Sequence, residues 1–149
     1  MAAEFKHLLV ATDGSLLADE AIKLALRVAP AAPMTALLVV HDYGLPEYLR
    51  AACGHPVDAK GLREAIVTEG RQRLSEAIAR AGGDAGRIAQ RVVLSDRSPS
   101  HEILATAERE GCDLIVMASH GMGGRLAGLL GSQSAAVLAL TRLPVLVAR

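Results

Sequence analysis

The chain has 149 residues, 51% hydrophobic and only 2% aromatic, and its 16 basic and 16 acidic side chains cancel. That length suits one domain whose core is built from Val, Leu, Ile and Ala rather than from aromatic rings. A balanced charge with no basic face or aromatic platform argues against nucleic acid as a partner, and no apolar run approaches the roughly 20 residues that span a bilayer.

The N-terminal "MAAEFKHLLV" carries an acid and runs straight into strand-like sequence, so it does not read as a signal peptide. Phe5 to Thr12 is apolar almost throughout, as in a strand covered on both faces. Asp13-Gly14-Ser15 is a turn signal in which Ser15 would cap the next helix. That helix repeats Leu17, Ala21, Leu24 and Val28 on one expected buried face, and Pro30 and Pro33 close it. Met34 to Asp42 gives a second strand. Tyr43 to Asp58, with Gly44, Pro46, Gly54 and Pro56, reads as the longest irregular segment.

A long helix is expected from about Ala59 to Ala81 with Leu62, Ile66, Gly70, Leu74 and Ile78 on its apolar face. Gly70 there costs about 1 kcal/mol against Ala unless close packing requires it. Arg87 to Ser95 reads as a third strand, edge-like because of Gln90 and Arg91. Ser98 caps a short helix with Pro99 at its first position, and Cys112 to His120 forms a fourth strand. Ser132 to Thr141 is helical, with Ser132 as cap, and Pro144 to Ala148 is a C-terminal strand. The alternation βαβαβαβαβ implies a parallel sheet covered on both faces, in one domain over residues 1–149.

In such a sheet, ligands bind at the carboxyl ends of strands where the strand order reverses. Three loops end strands in this way: Asp13-Gly14-Ser15, Val40-His41-Asp42, and the glycine-rich stretch "MASHGMGGRLAGLLGS" from Met117 to Ser132. Gly121, Gly123 and Gly124 let backbone N–H groups form an anion-binding nest, and Gly131-Ser132 opens a helix whose N-terminus favours an anion. The chemistry favours a phosphate-bearing ligand. Asp13 would then accept hydrogen bonds from a ribose or base, help hold a metal, or simply cap its turn. Arg125 is as well placed to face solvent as to meet phosphate charge. There is no GxxxxGK[ST] loop and no GxGxxG after the first strand.

"VATDGS" ending the first strand, then "DLIVMASHG", nine residues, "GS", and a C-terminal "PVLV" together resemble the universal stress protein family over Phe5 to Val147. The resemblance implies a three-layer α/β sandwich with a five-stranded parallel sheet in order 3-2-1-4-5. That is a Rossmann-like fold of the adenine nucleotide alpha hydrolase-like type. It implies an ATP site, with AMP or ADP as variants, in a non-enzymatic stress-response or signalling module. Thr12, Asp13 and the Val40 backbone would hold ribose and adenine, with Met117 near the nucleoside. Ala118, His120, Gly121, Gly131 and Ser132 fall on the G-x2-G-x9-G-S/T loop, and Gln133 and Ser134 follow into the phosphate site. Ala118 stands where the family has its first glycine. A methyl group there is tolerated if the backbone is in a β or α region and no ligand atom packs on its Cα.

The same resemblance implies homodimers meeting through Pro144 to Ala148, which fits an apolar edge strand. Alternatives are a dimeric interaction protein of the same fold with an empty site, and a slow metal-assisted ATP hydrolase. No nucleophile–base pair is legible, so no catalytic residue is assigned. His41 and Asp42 alone do not make a metal site, and Mg²⁺ or Mn²⁺ would ride on the phosphates. With Cys53 and Cys112 as its only cysteines, the chain suits a reducing, cytoplasmic compartment. Membrane partners are not expected, and the downstream protein partner is not legible.

Overall fold

The computed structural model describes residues 4–120 and 130–149. In chain order it contains β1 (Leu8–Thr12), α1 (Asp19–Val28), β2 (Met34–His41), α2 (Leu45–Cys53) and α3 (Ala59–Arg80). These are followed by β3 (Ala89–Ser95), α4 (Pro99–Arg109), β4 (Leu114–Ala118), α5 (Ser132–Leu140) and β5 (Val145–Ala148). The five strands form one sheet in order β3-β2-β1-β4-β5, and every pairing is parallel. Fold and strand order are those implied by the resemblance.

The unbroken apolar runs of β1 and β4 reflect burial from both sides. Leu8 and Val10 pack with Ala21, Ile22 and Ala25 of α1 and Leu74, Ala77 and Ile78 of α3. Their neighbours Leu9 and Ala11 point the other way, to Ile103 and Ala107 of α4 and Val137 of α5. The two-residue period of a strand thus feeds two cores at once. Each fully buried Leu or Ile contributes about 1.5–3 kcal/mol by leaving water.

Several local expectations need correction. Residues 43–58 are not all irregular. Gly44 takes a left-handed φ of 67°, Pro46 sits in the first turn, and Gly54 closes the nine-residue helix α2 at φ 66°. Pro there loses no intrahelical bond and Gly supplies the reversed end, so these residues punctuate a helix. Helix α1 begins at Asp19, because the Ser15 hydroxyl accepts the Ala18 N–H at 3.2 Å and spends that capping bond on the turn before the helix. The buried face therefore shifts to Asp19, Ala21, Ile22 and Ala25, leaving Leu17 and Val28 exposed. Strand β1 starts at Leu8 because the backbone N–H groups of Lys6 and His7 donate to the Asp113 carboxylate at 2.9 and 3.0 Å.

Other expectations hold. Ser98 caps α4 with Pro99 at its first position, accepting the His101 N–H. Strand β3 is an edge. Gly70 is a packing glycine: a Cβ there would lie 2.8 Å from Val92 Cγ1, so α3 can press against β3 only without one.

Candidate functional site

The chain runs outward from β1 through β2 to β3 and then returns to place β4 on the other side of β1. The order therefore reverses between β1 and β4, where Ala11 pairs with Met117. The residues just beyond this pair, Thr12-Asp13 and Ala118-Ser119, end on one rim, with the N-terminus of α5 brought to it. This is the crevice position expected for a ligand in an open parallel sheet.

On the β1 side, Thr12 is buried, and its hydroxyl accepts the Gly14 N–H at 3.1 Å. Asp13 Oδ1 accepts the Ser15 N–H at 2.9 Å, so the turn-capping role of Asp13 is real. Its backbone carbonyl receives Arg73 Nη2 at 2.8 Å. Val40 is half-buried near the end of β2, paired with Leu94 of β3. Two residues on, Asp42 accepts the Gly44 N–H and Arg63 Nε, both at 2.9 Å. The Arg63 guanidinium, with the Gly44 amide, holds the Asp42 carboxyl below its ordinary range. Asp42 is thus engaged in structure, and the described residues contain no group of three or more His, Cys, Asp or Glu able to hold a metal ion.

On the β4 side, Met117 is buried, and Ala118 ends the strand opposite Ala148. No described residue other than glycine has positive φ, so the backbone at Ala118 does not demand glycine. The Ser119 carbonyl accepts the Gly131 N–H at 2.7 Å, and a Cβ at Gly131 would come within 3.1 Å of that oxygen. Gly131 is therefore favoured by close approach rather than by its φ of −64°. His120 lies 3.1 Å from the Ser119 hydroxyl through Nδ1, a contact within the loop. Gly121 lies outside the described residues, as do Gly123, Gly124 and Arg125.

The start of α5 corrects the expected cap. Gly131 occupies the N-cap and Ser132 is the first helical residue, so α5 has no side-chain cap. Ser134, one candidate for the phosphate site, is buried and donates to the Ala118 carbonyl at 2.8 Å. The Gln133 side-chain carbonyl accepts the Ser100 N–H of α4 at 2.9 Å. Helix α4 is thus capped twice over, by Ser98 and by Gln133, whereas the α5 terminus lies at the rim with no side-chain cap among the described residues.

Sequence reasoning missed Arg73 and Arg80, which reach the Asp13 turn from α3. Their seven-residue spacing puts both on one side of that helix, a signal visible only once the partner of that side is known.

The model of the universal stress protein family matches residues 4–149. The chain belongs to the universal stress protein family. It is similar to a universal stress protein of Thermus aquaticus encoded in the QAH/OAS sulfhydrylase 3′ region. The two are 36% identical over 97% of this chain and 99% of the relative. Among solved structures, the hypothetical protein MJ0577 shares the fold at TM-score 0.76 and 24% identity, covering 98% of this chain and 96% of that one. A universal stress protein in complex with cAMP superposes at TM-score 0.61 and 25% identity, with 99% and 98% covered. As a universal stress protein, the chain carries the family's sheet with its strand order reversing between β1 and β4, and none of its described helices is long and apolar enough to cross a membrane.

Proposed function

We propose that this universal stress protein binds an adenine nucleotide, ATP or its AMP or ADP forms, in the crevice between β1 and β4. It would act there as a non-enzymatic stress-response or signalling module. The observation that carries this reading is the contrast between two helix N-termini. That of α4 is closed by Ser98 and Gln133, while that of α5 has no side-chain cap among the described residues and stands at the switch point of the sheet. An anion at such a terminus gains typically about 0.3–1 kcal/mol, and up to about 2 kcal/mol when partly buried. A structural neighbour that binds cAMP supports the same ligand class.

In this reading the phosphates meet the first turn of α5 from Gly131 to Gln133 and the Gly121 segment. Asp13 and the Val40 backbone take ribose and adenine. Ser134 and the Gln133 side chain act one step back, fixing α5 against β4 and α4. A Mg²⁺ or Mn²⁺ would be carried by the phosphates, keeping water ligands. The edge strand β5, with Pro144 before it, is proposed as the homodimer contact in a cytoplasmic protein. A solution mass equal to a monomer at micromolar concentration contradicts the dimer.

The test is to denature purified protein, identify any released small molecule, and titrate the stripped protein with ATP. Co-purified nucleotide or saturable binding supports the reading. Neither at millimolar ATP leaves the alternative, an interaction protein of the same fold with an empty site. Turnover above contaminant level that disappears in Asp13→Ala would instead indicate a hydrolase.

A further inference from the structure

We infer that Arg73 and Arg80 of α3 are positioning residues that set the direction of the Asp13 carboxylate by clamping the two peptide groups that follow it. This rests on the nucleotide reading for its purpose, though not for its geometry. Arg73 Nη2 donates to the Asp13 carbonyl at 2.8 Å, and Arg80 Nη2 donates to the Gly14 carbonyl at 3.1 Å. The two arginines lie seven residues apart on a helix anchored through buried Leu74, Ala77 and Ile78, so they present two guanidiniums to consecutive carbonyls.

A trans peptide points its N–H opposite to its C=O. With the Asp13 carbonyl turned to Arg73, the Gly14 N–H faces the other way, where Thr12 Oγ1 accepts it. With the Gly14 carbonyl turned to Arg80, the Ser15 N–H faces the Asp13 carboxylate and holds Oδ1 at 2.9 Å. The arginines on one side of the turn thereby fix the acceptors on the other.

Two further features make the clamp stiff. Arg80 is itself held by Asp19, Nε to Oδ2 at 2.8 Å and Nη2 to Oδ1 at 3.1 Å, and the Asp19 side chain is only 5% exposed. Gly14 has φ 79°, a conformation other residues rarely adopt, and a Cβ there would meet Arg73 Nη2 at 3.3 Å. The turn and the guanidinium fit each other. Arg73 is the cleaner probe, because removing Arg80 also strands the buried Asp19.

The experiment compares full-length wild type, Arg73→Gln and Arg73→Lys by backbone amide hydrogen exchange at Gly14 and Ser15, by thermal unfolding, and by ATP titration. Arg73→Gln is expected to speed exchange at both amides and to weaken ATP about tenfold, the loss of one charge-assisted bond, with Lys recovering part of both. Unchanged exchange in Arg73→Gln overturns the clamp. Faster exchange with unchanged ATP affinity overturns its positioning role. A general loss of protection across the sheet marks a merely structural arginine and also overturns it. If wild type itself binds no ATP, the proposed function falls, and exchange at Gly14 and Ser15 alone decides the clamp.

Discussion

The Ser134 hydroxyl donates to the Ala118 carbonyl at 2.8 Å, tying the first turn of α5 to the last residue of β4. The Gly131 N–H makes a second tie, to the Ser119 carbonyl at 2.7 Å. The helix terminus proposed to receive phosphate is thereby fixed to the strand that ends beside Asp13. Ser134, a candidate for the phosphate site, makes this tie between helix and strand.

Ser134→Ala should therefore act on stability and binding together. It removes one hydrogen bond and leaves the Ala118 carbonyl without this donor, a loss of about 1–3 kcal/mol for a buried group. Urea unfolding should show the midpoint fall with an unchanged slope, and ATP affinity should fall with it. Full stability in the variant would mean that the tie is not needed to hold α5.

Ala118→Gly restores the residue usual in the family. Since Ala118 ends a regular strand without positive φ, no backbone strain is relieved. The variant should lose about 0.5–1 kcal/mol of stability from added chain freedom. Its ATP affinity should stay within about threefold of wild type, a free-energy change well under that of one hydrogen bond. Tightening beyond about tenfold in calorimetry would show that the methyl group stands in the path of the ligand.

What the sequence made legible followed from periodicity and punctuation. The doubly buried β1, the Ser98-Pro99 start of α4 and the edge position of β3 were all readable from local residue patterns. Helix α2 was missed because Gly44, Pro46 and Gly54 are the same residues whether they interrupt a loop or bound a helix. The register of α1 was missed because Ser15 has two turns it can cap, and nothing local selects between them. At the site, Asp13, Ala118 and Gly131 announced themselves by their motif. The work of Gln133, Ser134, Arg73 and Arg80 depends on contacts with elements 16 to 66 residues away, which no local pattern encodes.

Gly70→Ala tests how closely α3 is pressed on the sheet. The new methyl would lie 2.8 Å from Val92 Cγ1 and 3.4 Å from Leu38 Cδ2. Higher helix propensity would contribute about 1 kcal/mol in favour. Overpacking costs typically about 1–3 kcal/mol and should win, since the atom met is a methyl on the short, stiff side chain of Val92. Thermal unfolding should show a lower midpoint, and a raised one would mean that β3, as an edge, yields.

The carboxyls at the end of the sheet opposite the switch point should contribute to acid stability. Glu110 closes α4 there, taking the buried Thr35 hydroxyl at 2.6 Å and Arg91 Nε at 2.7 Å. Burial pushes the Glu110 carboxyl up, but the Thr35 hydrogen bond and the Arg91 guanidinium outweigh it and hold the group below its ordinary range. Asp113 is also held low, by the Lys6 and His7 backbone N–H groups. A carboxyl lowered in the fold contributes stability above its unfolded value, and that contribution is lost as pH falls through the folded value. Wild-type stability should thus decline as pH drops below about 4, the ordinary carboxylate range. Glu110→Gln keeps the shape but not the charge, so it should be less stable at neutral pH by an amount that shrinks on acidification. Urea unfolding from about pH 7 to about pH 3 measures this, and a gap that stays constant across that range would place the Glu110 contribution in packing rather than charge.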